Sequence, residues 1–240
     1  MKHLSTLKTS ALCLMFASTG LLTACGSDDD NAINGEVEMA SYQVTLTNLS
    51  NNQPLSPLAA LLHDENFQAW SVGSAASEGL ELLAEAGDNS RFLTDYAEML
   101  ISYESGAAPV GPGFSDSITI MGEIGSEMQL SFASMLVNTN DAFTGLTGLD
   151  LSSLEVGEDS QYFLPIYDAG TEENSELPGT IPGPADGSDG AGFNAARDDV
   201  DIVSRHPGIV SQDDGYSASV LDQSHRFDSP IARLIITRLQ

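Results

Sequence analysis

Two short segments each set a carboxylate and other hard oxygen donors just beyond an apolar run. They are Val137-Asn138-Thr139-Asn140-Asp141 and Tyr167-Asp168-Ala169-Gly170-Thr171-Glu172. Calcium takes about six to eight oxygen ligands and accepts carboxylates, amide oxygens and main-chain carbonyls from loops. Asp168 and Glu172 stand on either side of Ala-Gly-Thr, and Gly170 permits the positive φ that turns two carboxylates back on one another. A third carboxylate from a neighbouring strand end would complete an anionic cup. The alternative is that these are solvated acids at strand ends, in a chain with 35 Asp and Glu.

Hydrolytic chemistry needs a serine activated by a histidine that a carboxylate orients. His63, His206 and His225 are available, and Ser204-Arg205-His206 and Ser224-His225-Arg226-Phe227-Asp228 hold the right residue types. No spacing assembles them, and no Gly-x-Ser-x-Gly elbow is present. These histidines therefore read as structural or exposed, with an envelope hydrolase on ester or glycan substrates as the rival class. Zinc lacks a His-x-x-x-His or a cysteine pair. Trp70, the only tryptophan, reads as core, with a sugar-stacking platform as the alternative. Phe92, Tyr96 and Met99 at helical spacing read as a buried face rather than a partner groove.

These side chains would be carried mainly by strands. Residues 42–49 alternate, with Tyr42, Val44, Leu46 and Asn48 on one face. Further strands are expected at 58–63, 67–72, 117–121, 127–137, 161–167 and 231–239, the last apolar on both faces and so central. Helix formers from Ser77 to Ala86, stopped by Gly87, predict one helix. A second is expected over 91–100, capped by Asn89 or Ser90. Residues 171–196, rich in Gly, Pro and acids, predict a long loop of the kind that is functional or disordered. Many short strands with one helical insertion predict a mainly β protein built as an antiparallel β-sandwich.

At the N-terminus, Lys2 and Lys8 precede an apolar run from Ala11 to Leu22, too short to span a bilayer. Leu22-Thr23-Ala24-Cys25 closes it as a bacterial lipobox, so residues 1–24 are expected to be a signal peptide and Cys25 a lipidated terminus. The alternative is an ordinary secretory signal with Cys25 as a free thiol. Gly26 rather than Asp follows the cysteine, which favours the outer membrane over inner-membrane retention. Residues 25–40 read as a flexible acidic tether, and 41–240 as one domain. Cys13 would leave with the signal and Cys25 would carry lipid, so that domain has no disulfide. The net charge is −27, with both lysines in the signal. Such a surface repels nucleic acid and anionic headgroups, and its acidity reads either as solubility or as cation capture.

The chain resembles the spondin N-terminal domain, the module that opens the extracellular-matrix F-spondins and recurs in bacterial secreted proteins. The resemblance rests on the 42–49 strand followed by Pro54-Leu55-Ser56-Pro57, and on Ser126–Phe132. It rests also on Phe132-Ala133-Ser134-Met135-Leu136-Val137-Asn138-Thr139-Asn140-Asp141, similar to the family's Ser-Met block, and on Asp168-Ala169-Gly170-Thr171-Glu172, similar to its Asp-Ala-Gly-Thr-Asp block. It covers about residues 41–170 well. What it implies is a C2-like sandwich with Ca2+ held at one end by Asp141, Asp168 and Glu172. Glu172 departs from the family's Asp, and its extra methylene adds about 1.5 Å of reach. The cysteines of the animal domain are missing here. The expected role is calcium-supported adhesion or contact with an envelope or extracellular polymer or protein, without enzymatic activity. A metal-free structural envelope protein is the other alternative.

Overall fold

The computed structural model describes residues 37–187, 192–194 and 199–240. The signal peptide, Cys25 and tether residues 25–36 lie outside the described residues. The first strand, β1, runs Met39–Asn48, so the sheet already includes the last two residues expected in the tether. Its alternation works as read: Tyr42, Val44, Leu46 and Asn48 are all buried. β1 pairs antiparallel with β4 (Ser115–Glu123) on one side and β10 (Ala232–Arg238) on the other. β7 (Asp159–Leu164) closes a four-stranded sheet in the order β4-β1-β10-β7. The C-terminal strand is central, as its two apolar faces predict.

The second sheet holds six strands, all antiparallel, in the order β3-β2-β5-β6-β8-β9. They are β2 (Ala59–His63), β3 (Leu100–Ser105), β5 (Gln129–Met135), β6 (Ala142–Asp150), β8 (Ile166–Asp168) and β9 (Ser204–Arg205). The stretch 161–167, expected as one strand, is split at Pro165 between β7 in one sheet and β8 in the other. Proline has no N–H to continue a ladder, so the chain changes sheets there and delivers Asp168 to the end of the second one.

The described residues thus form the expected antiparallel β-sandwich. Between the sheets lie Val44, Leu46, Ile120, Leu234 and Ile236 from one side and Leu62, Leu130 and Phe132 from the other. Each such side chain, taken fully out of water, contributes about 1.5–3 kcal/mol. The six-stranded sheet is also covered on its outer face. Leu61, Ala133, Met135 and Phe143 pack there against Trp70 and against Leu80, Leu83, Phe92 and Leu93 of the helical insertion. That double burial explains why every residue of β2 is buried.

Helix α1 (Glu78–Ala86) starts where Ser77 accepts a hydrogen bond from the Leu80 N–H at 3.2 Å. It stops at Gly87, left-handed with φ 68°. The second helix, α2 (Ser90–Thr94), is shorter than expected. A single 3-10 turn, Ala97–Met99, follows it, and Leu100 then enters β3 to pair with β2. Sheet pairing has overridden helical propensity here. The expected buried face is accordingly corrected: Phe92 is buried, but Tyr96 is 42% and Met99 51% exposed. Residues 67–72 form no strand either, serving instead to send Phe67 and Trp70 inward. Among the described residues, no helix is long and apolar enough to cross a membrane.

Candidate metal centre

The antiparallel pairing of β6 with β8 sets Ala142 opposite Asp168, and that register fixes the site. Asp141 lies one residue before β6, and its carbonyl accepts the Ala169 N–H at 3.3 Å. Beyond β8 the chain turns sharply at Gly170, with φ 71°. A Cβ there would lie 2.5 Å from the Ile202 carbonyl oxygen and 2.6 Å from its nitrogen. Only glycine fits both the backbone angle and the approach of segment 201–203. The main chain on both sides is tied down, with the Asp201 N–H donating to the Gly170 carbonyl at 2.7 Å.

The turn wraps the Asp141 carboxylate. Its Oδ2 accepts the main-chain N–H groups of Thr171 (2.8 Å) and Glu172 (3.1 Å) and faces the Thr171 hydroxyl at 3.4 Å. Its Oδ1 is buried and meets no donor among the described residues. Asp168 is held from the other side: Oδ1 accepts the Gly170 N–H at 2.8 Å, and Oδ2 accepts Nδ2 of Asn174 at 2.6 Å. Nε2 of His206 lies 3.1 Å from Oδ1 of Asn174, while its Nδ1 accepts the Gly208 N–H at 3.0 Å. The imidazole is thus neutral, protonated at Nε2, and donates to the amide that holds Asp168. Burial pushes the His206 ring below its ordinary pKa, against the pull of the Asp168 charge.

The structure therefore brings the three acids expected from the resemblance to one end of the six-stranded sheet. Asp141 and Glu172 are fully buried and Asp168 is 7% exposed. A fourth acid joins them: Glu85 of α1 is buried, accepts the Asn194 N–H at Oε2, and its Oε1 meets no donor among the described residues. Neither Asp141, Asp168 nor Glu85 is in an ion pair with a described arginine. Arg205, on β9 opposite Tyr167 of β8, stacks on the Tyr167 ring with Cζ 4.6 Å from its centroid. Burial first, and then the charges of Asp168 and Glu85, push the Asp141 carboxyl up to about 7, while the two amide donors oppose the rise. Among the described residues, no three His, Cys, Asp or Glu side chains converge closely enough to hold a metal ion by themselves. The carboxylates at this end nonetheless offer hard oxygen, and Asp141 Oδ1 is buried with no donor among the described residues, which is the kind of ligand calcium accepts. Any ion here would also draw on main-chain carbonyls and water.

Sequence reasoning missed Glu85, Asn174 and His206 as parts of this end. Asn174 and His206 sit in or beyond the irregular segment after β8, and nothing in their spacing marks them. Glu85 carries one weak signal: it lies on the apolar side of α1, next to Leu83 and Ala84, where an acid is out of pattern.

The other histidines stand apart. His63 donates from Nδ1 to the Asp64 carbonyl (2.7 Å), and its Nε2 meets the Ser131 hydroxyl at 2.8 Å. Both His63 and Ser131 are fully buried, and no carboxylate orients the ring. His225 caps the turn begun by Asp222. Trp70 is 5% exposed and meets Phe143 and Tyr167 edge-on at 5.3 and 5.9 Å, as a core residue does.

The family model Spondin_N, for the spondin N-terminal domain, matches residues 46–177, a span that contains Asp141, Asp168 and Glu172. A comparison with curated proteins gave no match. The chain belongs to the spondin N-terminal domain family.

Proposed function

We propose that this protein is a calcium-supported adhesion or ligand-binding module, held at a bacterial cell envelope by lipid on Cys25, most consistently at the outer membrane, and without catalytic activity. Membership of the spondin N-terminal family suggests a protein of the extracellular, adhesion type. The lipid anchor rests on the Leu22-Thr23-Ala24-Cys25 sequence, and the partner would be an envelope or extracellular polymer or protein.

One observation carries the calcium reading. Asp141 is buried, faces the charges of Asp168 and Glu85, and holds an Oδ1 that no donor among the described residues satisfies. A buried carboxylate in that state is costly, and a divalent ion at Oδ1 would offset both the desolvation and the mutual repulsion. Asp141, Asp168 and Glu172 would be its side-chain ligands. The role of the protein's own residues is positional: the Thr171 and Glu172 amides fix one Asp141 oxygen, and Asn174, backed by His206, fixes Asp168. The ion would supply a rigid tip that pins the segment after β8.

A thermal melt tests this. Millimolar calcium raises the melting temperature of chelator-treated protein, and Asp168→Ala abolishes the rise while leaving the calcium-free melt cooperative. A wild-type melt that calcium leaves unchanged overturns the reading.

A further inference from the structure

The helix that stops early leaves a second feature, away from the acids of the metal centre. Between the 66–77 segment and the turn that follows α2 lies an open cleft of about 480 Å³, within the range of about 300–1,000 Å³ typical of small-ligand sites. Its floor is aromatic: Phe67 and Tyr96 meet at 5.6 Å with planes tilted by 55°, and Trp70 lies beside them. Met99 completes the apolar side. Tyr96 and Met99 are the accessible members, while Phe67 and Trp70 are anchored in the core. The rim is polar and neutral, formed by the amides of Asn66 and Gln68 and the hydroxyls of Ser71 and Ser74.

Charge is what selects the ligand class. The protein carries 35 acids, yet among the described residues no acidic, basic or histidine residue lines this cleft. A cation finds no carboxylate there and an anion finds no cation. A saccharide without charge fits both halves of the lining. Its axial C–H face packs on an aromatic ring, and its hydroxyls need neutral donors and acceptors such as amides and Ser hydroxyls. The wall is also held in place before any ligand arrives. The Gly73 N–H donates to the Val203 carbonyl at 2.8 Å, the Val203 N–H donates to the Ser74 carbonyl at 2.9 Å, and Ser77 caps α1. Order of this kind lowers the entropy lost on binding.

We propose that this cleft binds a neutral saccharide unit of a glycan chain, stacked on Tyr96 and hydrogen-bonded by Asn66 and Gln68. The site uses none of the carboxylates of the metal centre, so the two can fail separately.

Trp70 reports on the cleft directly, because it lines it and is the sole tryptophan. The full-length protein in detergent is titrated with neutral hexose oligomers of several linkages while tryptophan emission is followed. Saturable change with at least one of them is expected. Tyr96→Ala should weaken it by about tenfold, the loss of one stacking contact. Phe114→Ala, an exposed ring outside this cleft, should leave it unchanged. Absence of a saturable response to every neutral oligomer overturns the proposal. So does an undiminished response in Tyr96→Ala, a preference for an anionic glycan of the same length, or a response confined to a proline-rich peptide.

Discussion

The Asp141 carboxyl is held well above its ordinary ionisation range, and the sign of its effect is testable without any metal. Its ordinary pKa of 3.8 is raised to about 7 in the folded state, so the folded protein holds this proton more tightly than the unfolded one. Stability in calcium-free buffer is therefore fully present below about pH 4 as far as this group is concerned. It is lost as pH rises towards 7, at up to about 1.4 kcal/mol per pH unit. Urea midpoints at pH 5 and pH 7.5 measure it, and Asp141→Asn should flatten the difference. On the proposed function, calcium should reverse the trend, because an ion that binds the deprotonated carboxylate stabilises more as pH rises. At Gly170 the constraint is steric. Gly170→Ala would place a methyl into Ile202 at a backbone angle L-residues avoid, and should cost about 1–3 kcal/mol in chemical denaturation. It should also weaken calcium binding, since the same turn supplies the Thr171 and Glu172 amides.

At the scale of elements, β1, β2, β4, β5 and β10 were legible as strands, and β3 and β6 were not. β1 could be placed from its period-2 pattern, β10 from a run apolar on both faces, and α1 from its helix formers with Ser77 before and Gly87 after. β6 was missed because Ala142–Asp150 carries two glycines and presents apolar groups to both sides, having the sandwich core on one face and Trp70 on the other. The 67–72 stretch shows the opposite error: its aromatics looked like strand residues, but they are pegs that attach an irregular segment to the outer face of the sheet. Asp141, Asp168 and Glu172 stood out by their place just beyond apolar runs, and only the family resemblance joined them into one ligand set. Their placement at one end of the sheet depends on the β6–β8 register, which no local pattern in Asn138–Asp141 or Ala169–Glu172 states. The outer layer has its own test. Trp70→Ala removes the edge contacts to Phe143 and Tyr167 and should cost about 3–5 kcal/mol by urea unfolding, with the inter-sheet core intact.

For the molecule as a whole, the acidity and the metal reading are linked but separable. A net charge of −27 repels itself, and monovalent salt should raise the melting temperature by screening alone, on every variant alike. A specific ion site adds a calcium response that persists at constant, high ionic strength and depends on three side chains. Isothermal titration of calcium into chelator-treated protein in about 0.5 M sodium chloride separates the two, because the Debye length there is already only a few ångströms. The account predicts saturable binding of one ion per chain, lost in Asp168→Ala. Titration heats that show no saturable binding to the wild-type protein, or the same binding in Asp168→Ala, would contradict it.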